Sequence, residues 1–160
     1  MGRNSQVLEE LRTKVPTPER LATVPIAGDL QAEMTELKKH GEIDAFFDIG
    51  PPAAARSSHF KSAILSLRHG GKVSLMSGYQ EDVPIPASAI VHRNLSIHGK
   101  WMYERRDIVD LVKLVESGQL KLGKEGGSEV VGEYSLERFS EAWDAAAEHN
   151  TPGKSVLIYP

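Results

Sequence analysis

Two hydrophobic patterns alternate along this chain of 160 residues. Some apolar positions recur every three or four residues, as on one face of a helix. Others run together in short blocks, as in strands. Ser5 stands where a cap belongs, before an apolar face of Val7, Leu8 and Leu11. Val15-Pro16 ends that helix, because the residue before proline is pushed out of the α region. Residues 21–26 are apolar and β-branched enough for a short strand. Gly28-Asp29 leads into a second helix over 30–39, closed by Gly41. The block 43–49 is apolar without alternation, the pattern of a strand buried on both faces. Gly50-Pro51-Pro52 stops it.

Ser57 or Ser58 is placed to cap a third helix carrying Phe60, Ile64 and Leu67, with Gly70-Gly71 as its terminator. Strands are predicted at 72–76, ended by Ser77-Gly78, and within 89–97, ended by Gly99. A helix over 106–117 should bury Ile108, Leu111, Val112 and Val115, with Gly118 as its stop. Residues 129–133 are β-like. Ser135 precedes a helix with Phe139, Ala142, Trp143 and Ala146 inward, and 155–159 closes as a strand. Strands alternating with helices imply an α/β fold with a mostly parallel sheet. There is no internal repeat, and residues 121–128, rich in Gly and Lys, are the most linker-like stretch.

Composition narrows the function classes. Apolar residues make up 40% and charged residues 26%, as in a globular domain. The net charge of −3 argues against a nucleic-acid partner, which would need clustered Lys and Arg. No apolar run is long enough to span a membrane, and the first residues lack the apolar core of a secretory signal. There is no cysteine, hence no disulfide or thiolate zinc site in this sequence. That fits a reducing, cytoplasmic compartment.

In a parallel α/β sheet, ligands sit beyond the carboxyl ends of the strands. Those ends carry Gly50-Pro51, Ser77-Gly78 and Gly99-Lys100, and a glycine there lets backbone approach a flat ligand closely. The histidines His40, His59, His69, His92, His98 and His149 are scattered, and none is paired at helical metal-site spacing. Only His98 falls near the expected cleft. No nucleophilic triad is apparent, so no catalytic residue is assigned.

The order of IDAFFDIGPP (43–52), HGGKVSLMSG (69–78), NLSIHGKWMY (94–103) and a tail from YSLERFSEAWDAA (134–146) to GKSVLIYP (153–160) resembles the C-terminal half of the zinc-type alcohol dehydrogenases, in the medium-chain dehydrogenase/reductase family. The resemblance implies a partial Rossmann fold without its first two strands, with Gly2-Arg3-Asn4 as the exit from the second. It implies a dinucleotide-binding domain over 1–101 and a helix-strand tail over 102–160 that in relatives rejoins the catalytic domain. It implies an oxidoreductase that moves a hydride between nicotinamide and an alcohol or carbonyl substrate.

The resemblance also implies positions. Arg3 stands where NAD-binding members carry an acidic residue, so it reads as the NADP-preferring version, its fork holding the 2′-phosphate. NAD is the other cofactor to consider. Gly50 and Pro51 match the turn beneath the ribose, and Ser77 and Gly78 the turn facing the carboxamide. Lys100 and Met102 fall beside the nicotinamide, and Lys154 matches a basic position reaching the pyrophosphate. Relatives dimerise through the edge strand expected at 85–98.

The family's zinc ligands and glycine-rich phosphate turn do not occur in this sequence. No zinc is therefore expected, and this chain alone is expected to be inactive. The alternative is a truncated, non-catalytic remnant that binds a partner or, weakly, a nucleotide. The strand order of the fold, 3-2-1-4-5-6, leaves strand 43–49 with an open edge beside Phe46 and Phe47, and strand 21–26 without neighbours.

Overall fold

A computed structural model describes residues 1–160. In chain order the elements are α1 (Ser5–Lys14), α2 (Leu30–Lys38), β1 (Ile43–Asp48), α3 (His59–Ser66), β2 (Leu67–Leu75), α4 (Ala87–His92), β3 (Ser96–Gly99), α5 (Arg105–Glu116), β4 (Glu129–Ser135), α6 (Phe139–Glu148) and β5 (Lys154–Tyr159). The contacts divide the chain into two compact units, Met1–Arg3 with Val24–Glu104, and Asn4–Thr23 with Arg105–Pro160.

The first unit is built on a parallel sheet ordered β1-β2-β3. Phe60, Ile64, Leu67, Val73 and Leu95 form its core, with Phe46, Leu75 and Ile97 packed against it. Burying each of the larger side chains contributes roughly 1.5–3 kcal/mol. Phe60 meets Phe46 and Tyr79 edge-on, at centroid distances of 6.1 and 6.2 Å. The second unit pairs β4 with β5 in parallel and lays α6 over them. It is the mixed α/β, parallel-sheet architecture of a partial Rossmann fold.

Several local expectations are corrected. The cap of α1 is Asn4, whose side chain accepts from the Gln6 and Val7 amides, and not Ser5. Ser58 holds the N-cap position of α3, but its side chain makes no capping bond: its backbone is already in the α region and its hydroxyl turns to Glu33. That helix ends at Ser66, well before Gly70-Gly71. Arg93 takes its last carbonyls, donating to Leu65 and Leu67, while the buried Leu67 opens β2. Ile43 faces Leu67 and Ala45 faces Lys72, so 68–71 bulge out around Gly70, whose φ is +72°.

Residues 21–26 form no strand. Their one pairing is a bridge from Pro25 to Gly2, and proline has no N–H to extend a ladder. Strand β1 is not buried on both faces: Asp48 is buried, but Phe47 is 58% exposed. The open edge expected of it is there, since β1 lies at the margin of its sheet.

The edge strand expected over 85–98 is mostly helix. Pro84 and Pro86 lack ladder donors, α4 follows, and Asn94 turns left-handed (φ 51°) to stop it, with the Leu95 amide reaching back to Ile90. Only Ser96–Gly99 is strand. In the second unit Ile108, Leu111 and Val112 on α5, and Phe139 and Trp143 on α6, are exposed. Ala142 alone is buried there.

Candidate functional site

The site begins where β1 and β2 end. Their register places Asp48 opposite Leu75. Beyond the strands the two turns stay clasped. The Met76 amide donates to the Asp48 carbonyl at 2.9 Å and the Gly78 amide to the Gly50 carbonyl at 3.3 Å. The Gly50 amide donates to the Ser77 hydroxyl at 2.8 Å. Gly50, Pro51, Ser77 and Gly78 are therefore one assembly. A Cβ on Gly50 would lie 3.1 Å from the Tyr79 hydroxyl and 3.2 Å from Ala54, so a side chain there would need these neighbours to give by a few tenths of an ångström. Gly99 faces open space instead, and a Cβ on Gly78 would make ordinary contact with Pro52, at 3.8 Å.

The pairing of β2 with β3 carries the next turn alongside. The Lys100 amide donates to the Leu75 carbonyl at 2.8 Å, and its ammonium lies 3.3 Å from Glu104. Met102 is exposed and left-handed, with φ at 54°, a conformation L side chains seldom adopt. Arg3 shares a cavity of about 510 Å³ with Gly50 and Pro51. Lys154 belongs to the second unit, where its ammonium pairs with Glu129 and holds that carboxyl below the usual carboxylate range.

Two buried polar groups were not singled out from the sequence. In one, Asp48 (2% exposed) accepts from the Tyr79 hydroxyl at 2.8 Å and lies 3.2 Å from His59 Nε2. Burial and the neighbouring Asp48 carboxylate push the Tyr79 hydroxyl up to about 12. In the other, Glu33 (1% exposed) accepts from Ser58, from Ser62 at 2.7 Å and from the Gly28 amide at 3.0 Å. Burial pushes its pKa up, but the bonds from Ser58, Ser62, Gly28 and Ala27 outweigh it, and the pKa ends lowered.

His59, not His98, is the histidine at the cavity; His98 sits exposed on β3. The signal for Asp48 was present as an acid inside the block 43–49. For His59 there was none, because its partners come from distant segments. His59 Nδ1 and Ser57 Oγ are buried without a hydrogen-bond partner, and both residues line the cavity. No three His, Asp or Glu side chains are grouped to hold a metal ion. No helix is long and apolar enough to cross a membrane.

No family model matches the chain. It is 28% identical over 130 residues to an L-threonine 3-dehydrogenase from Anaeromyxobacter sp. (strain K), covering 81% of this chain and 35% of that protein. Solved structures share the fold. A 2R,3R-butanediol dehydrogenase from Bacillus subtilis aligns with a TM-score of 0.59 at 20% identity, over 79% of this chain and 35% of that one. A structure described as a short chain alcohol dehydrogenase from E. coli CFT073, complexed with cofactor NADH, gives 0.58 at 15% identity over the same shares, 79% and 35%. A thermostable alcohol dehydrogenase from Pyrobaculum aerophilum gives 0.55 at 19% identity, again over 79% and 35%. The chain thus spans about a third of the length of these relatives. The resemblance to zinc-type alcohol dehydrogenases of the medium-chain family stands in both sequence and fold.

Proposed function

We propose that this chain is the cofactor-holding part of an alcohol-dehydrogenase-like oxidoreductase, taking NADP in preference to NAD and a small alcohol or carbonyl compound as substrate. The observation that carries this reading is that Arg3, Gly50 and Pro51, from separate stretches of sequence, line one cavity at the carboxyl end of β1. The chemistry of that cavity fits the group, since the Arg3 guanidinium suits a phosphate.

The bound cofactor supplies or accepts a hydride at its nicotinamide ring. Arg3 would grip the 2′-phosphate with two parallel N–H···O bonds. Gly50 and Pro51 would floor the ribose, and the Ser77–Gly78 backbone would face the carboxamide. Lys100 and Met102 would flank the ring. Lys154 is given no part, because Glu129 already holds its ammonium. The second reading, a partner-binding module without chemistry, is favoured by the open edge of β1.

Calorimetric titration with NADP and with NAD tests the first reading. NADP should bind more tightly. Arg3→Ala should weaken NADP roughly tenfold or more and leave NAD unchanged, since a charge-assisted bond is worth about 1.5–3 kcal/mol and about 1.4 kcal/mol is tenfold. Equal affinities, unmoved by Arg3→Ala, would overturn it.

A further inference from the structure

The candidate site is made of two turns, and its shape depends on the distance between them. Past Asp48 and Met76, three links join the turns. The Gly50 amide donates to the Ser77 hydroxyl at 2.8 Å, the Gly78 amide to the Gly50 carbonyl at 3.3 Å, and Arg56 pairs through two nitrogens with Glu81, at 3.1 and 3.0 Å. The first ends on a neutral hydroxyl that can rotate. The second is longer than an ordinary N–H···O bond, and Gly78 is exposed, so water competes for its amide. In the third the side chains are 87% and 48% exposed, and surface pairs of this kind contribute little.

A fourth link is of a different kind. Tyr79 follows Gly78 directly, and its hydroxyl donates to Asp48 Oδ2 at 2.8 Å. Asp48, at the end of β1, is 2% exposed, and its other oxygen lies 3.2 Å from His59 Nε2. A donor meeting a carboxylate out of water makes a bond about twice as strong as a neutral one. The phenol is held in two further ways. Its ring meets Phe60, in the core, edge-on, with centroids 6.2 Å apart. Its oxygen also abuts the first turn, since a Cβ built on Gly50 would stand 3.1 Å from it. Tyr79 therefore spans from the second turn to the first, with its ring on the core.

We propose that Tyr79 and Asp48 are the positioning pair of this site: their bond fixes the spacing between Gly50–Pro51 and Ser77–Gly78, and with it the seat of the dinucleotide. The proposal rests on the cofactor reading for the identity of the ligand, though not for the clasp itself. Both residues act through the turns. A ligand that reaches both turns needs them at one separation, because contacts made together must be pre-set in geometry. A ligand that is held by Arg3 and does not reach the second turn has no such need. Loss of the pair should therefore weaken a whole dinucleotide and spare its adenosine half.

The test compares the full chain with Tyr79→Phe, which deletes the hydroxyl and keeps the ring on Phe60. In the free protein, amide hydrogen exchange followed by NMR should speed up at least tenfold at Gly50 and Gly78, with the buried Val73 of β2 unchanged. Asp48→Asn, which leaves Tyr79 a neutral acceptor, should give a smaller acceleration, and Glu81→Gln none. In calorimetry NADP should bind Tyr79→Phe about tenfold more weakly. Adenosine 2′,5′-bisphosphate, which lacks the nicotinamide half, should bind both proteins equally. Unchanged exchange at Gly50 and Gly78 would overturn the proposal, because the backbone bonds would then be the clasp. Equal acceleration at Val73 would also overturn it, as a general loss of stability, and so would an equal effect of Glu81→Gln. Equal weakening of the two ligands, or NADP binding untouched by Tyr79→Phe, would do the same. Failure of NADP to bind the unaltered chain would instead sink the cofactor reading, and the exchange rates would then decide whether Tyr79 and Asp48 hold the turns.

Discussion

The two units of this chain use similar sequence patterns with different results. In the first, α3 carries a buried face of Phe60, Ala63 and Ile64, and the sheet beneath it holds Leu67 and Val73 out of water. In the second, α5 has a stronger separation of apolar and polar residues along its length, yet none of its residues is buried. Periodicity says which side of a helix is apolar. It does not say whether anything covers that side. Coverage in the first unit comes from a three-stranded sheet with helices laid on it, whereas a pair of strands and α6 give the second a single buried side chain, Ala142.

The contrast is breakable by mutation. Ile64 is 0% exposed, and Ile64→Ala should destabilise the chain by about 2–5 kcal/mol in urea unfolding. Val112→Ala, on the exposed face of α5, should change stability by no more than about 0.5 kcal/mol. Comparable losses at both positions would mean that the apolar face of α5 is covered in solution.

Buried polar groups sharpen the difference, because only the first unit has them. Glu33→Ala leaves the Ser58 and Ser62 hydroxyls and the Gly28 amide without their acceptor, and should cost about 1–3 kcal/mol. The pKa of Glu33 is lowered on folding. Its contribution is therefore complete above the unfolded value near 4.5 and is lost as pH falls through the folded value. Acid unfolding of Glu33→Gln should be less steep in that window, as followed by far-ultraviolet circular dichroism.

Tyr79 acts at the other end of the pH scale. Its pKa rises from 10.0 to about 12, so its stabilisation is complete below pH 10 and lost as pH climbs towards 12. Absorbance at alkaline pH should show one tyrosine ionising late, and Tyr79→Phe should remove that step. The smallest effect concerns self-association, which we propose at the free edge of β3. Light scattering should show a weak dimer, and a strict monomer at high concentration would count against it.

Much of this was readable from the residues, for local reasons. The limits of α2, β1, α5 and β5 follow from Asp29, Gly50, Gly118 and the final apolar block, each acting within a few residues of the boundary it sets. The failures have separate physical causes, one local and one long-range. Residues 87–92 look β-branched and are helical because prolines before them and Asn94 after them decide the backbone. Ser57 and Ser58 look like capping side chains, yet the Ser57 hydroxyl has no partner and the Ser58 hydroxyl is drawn to Glu33, 25 positions away. The grouping of Arg3 with Gly50 and Pro51 came from family resemblance, whereas the Asp48–His59–Tyr79 cluster needed the fold, because parallel pairing brings together residues no sequence window contains.

The central claim is that a nicotinamide dinucleotide sits at the carboxyl end of β1. The most direct measurement is a backbone amide NMR titration of the full chain with NADP. The amides of Arg3, Gly50, Gly78 and Lys100 should shift together on one binding curve, with smaller movements for NAD at Arg3. Shifts confined to other residues, or none at millimolar NADP, would contradict it.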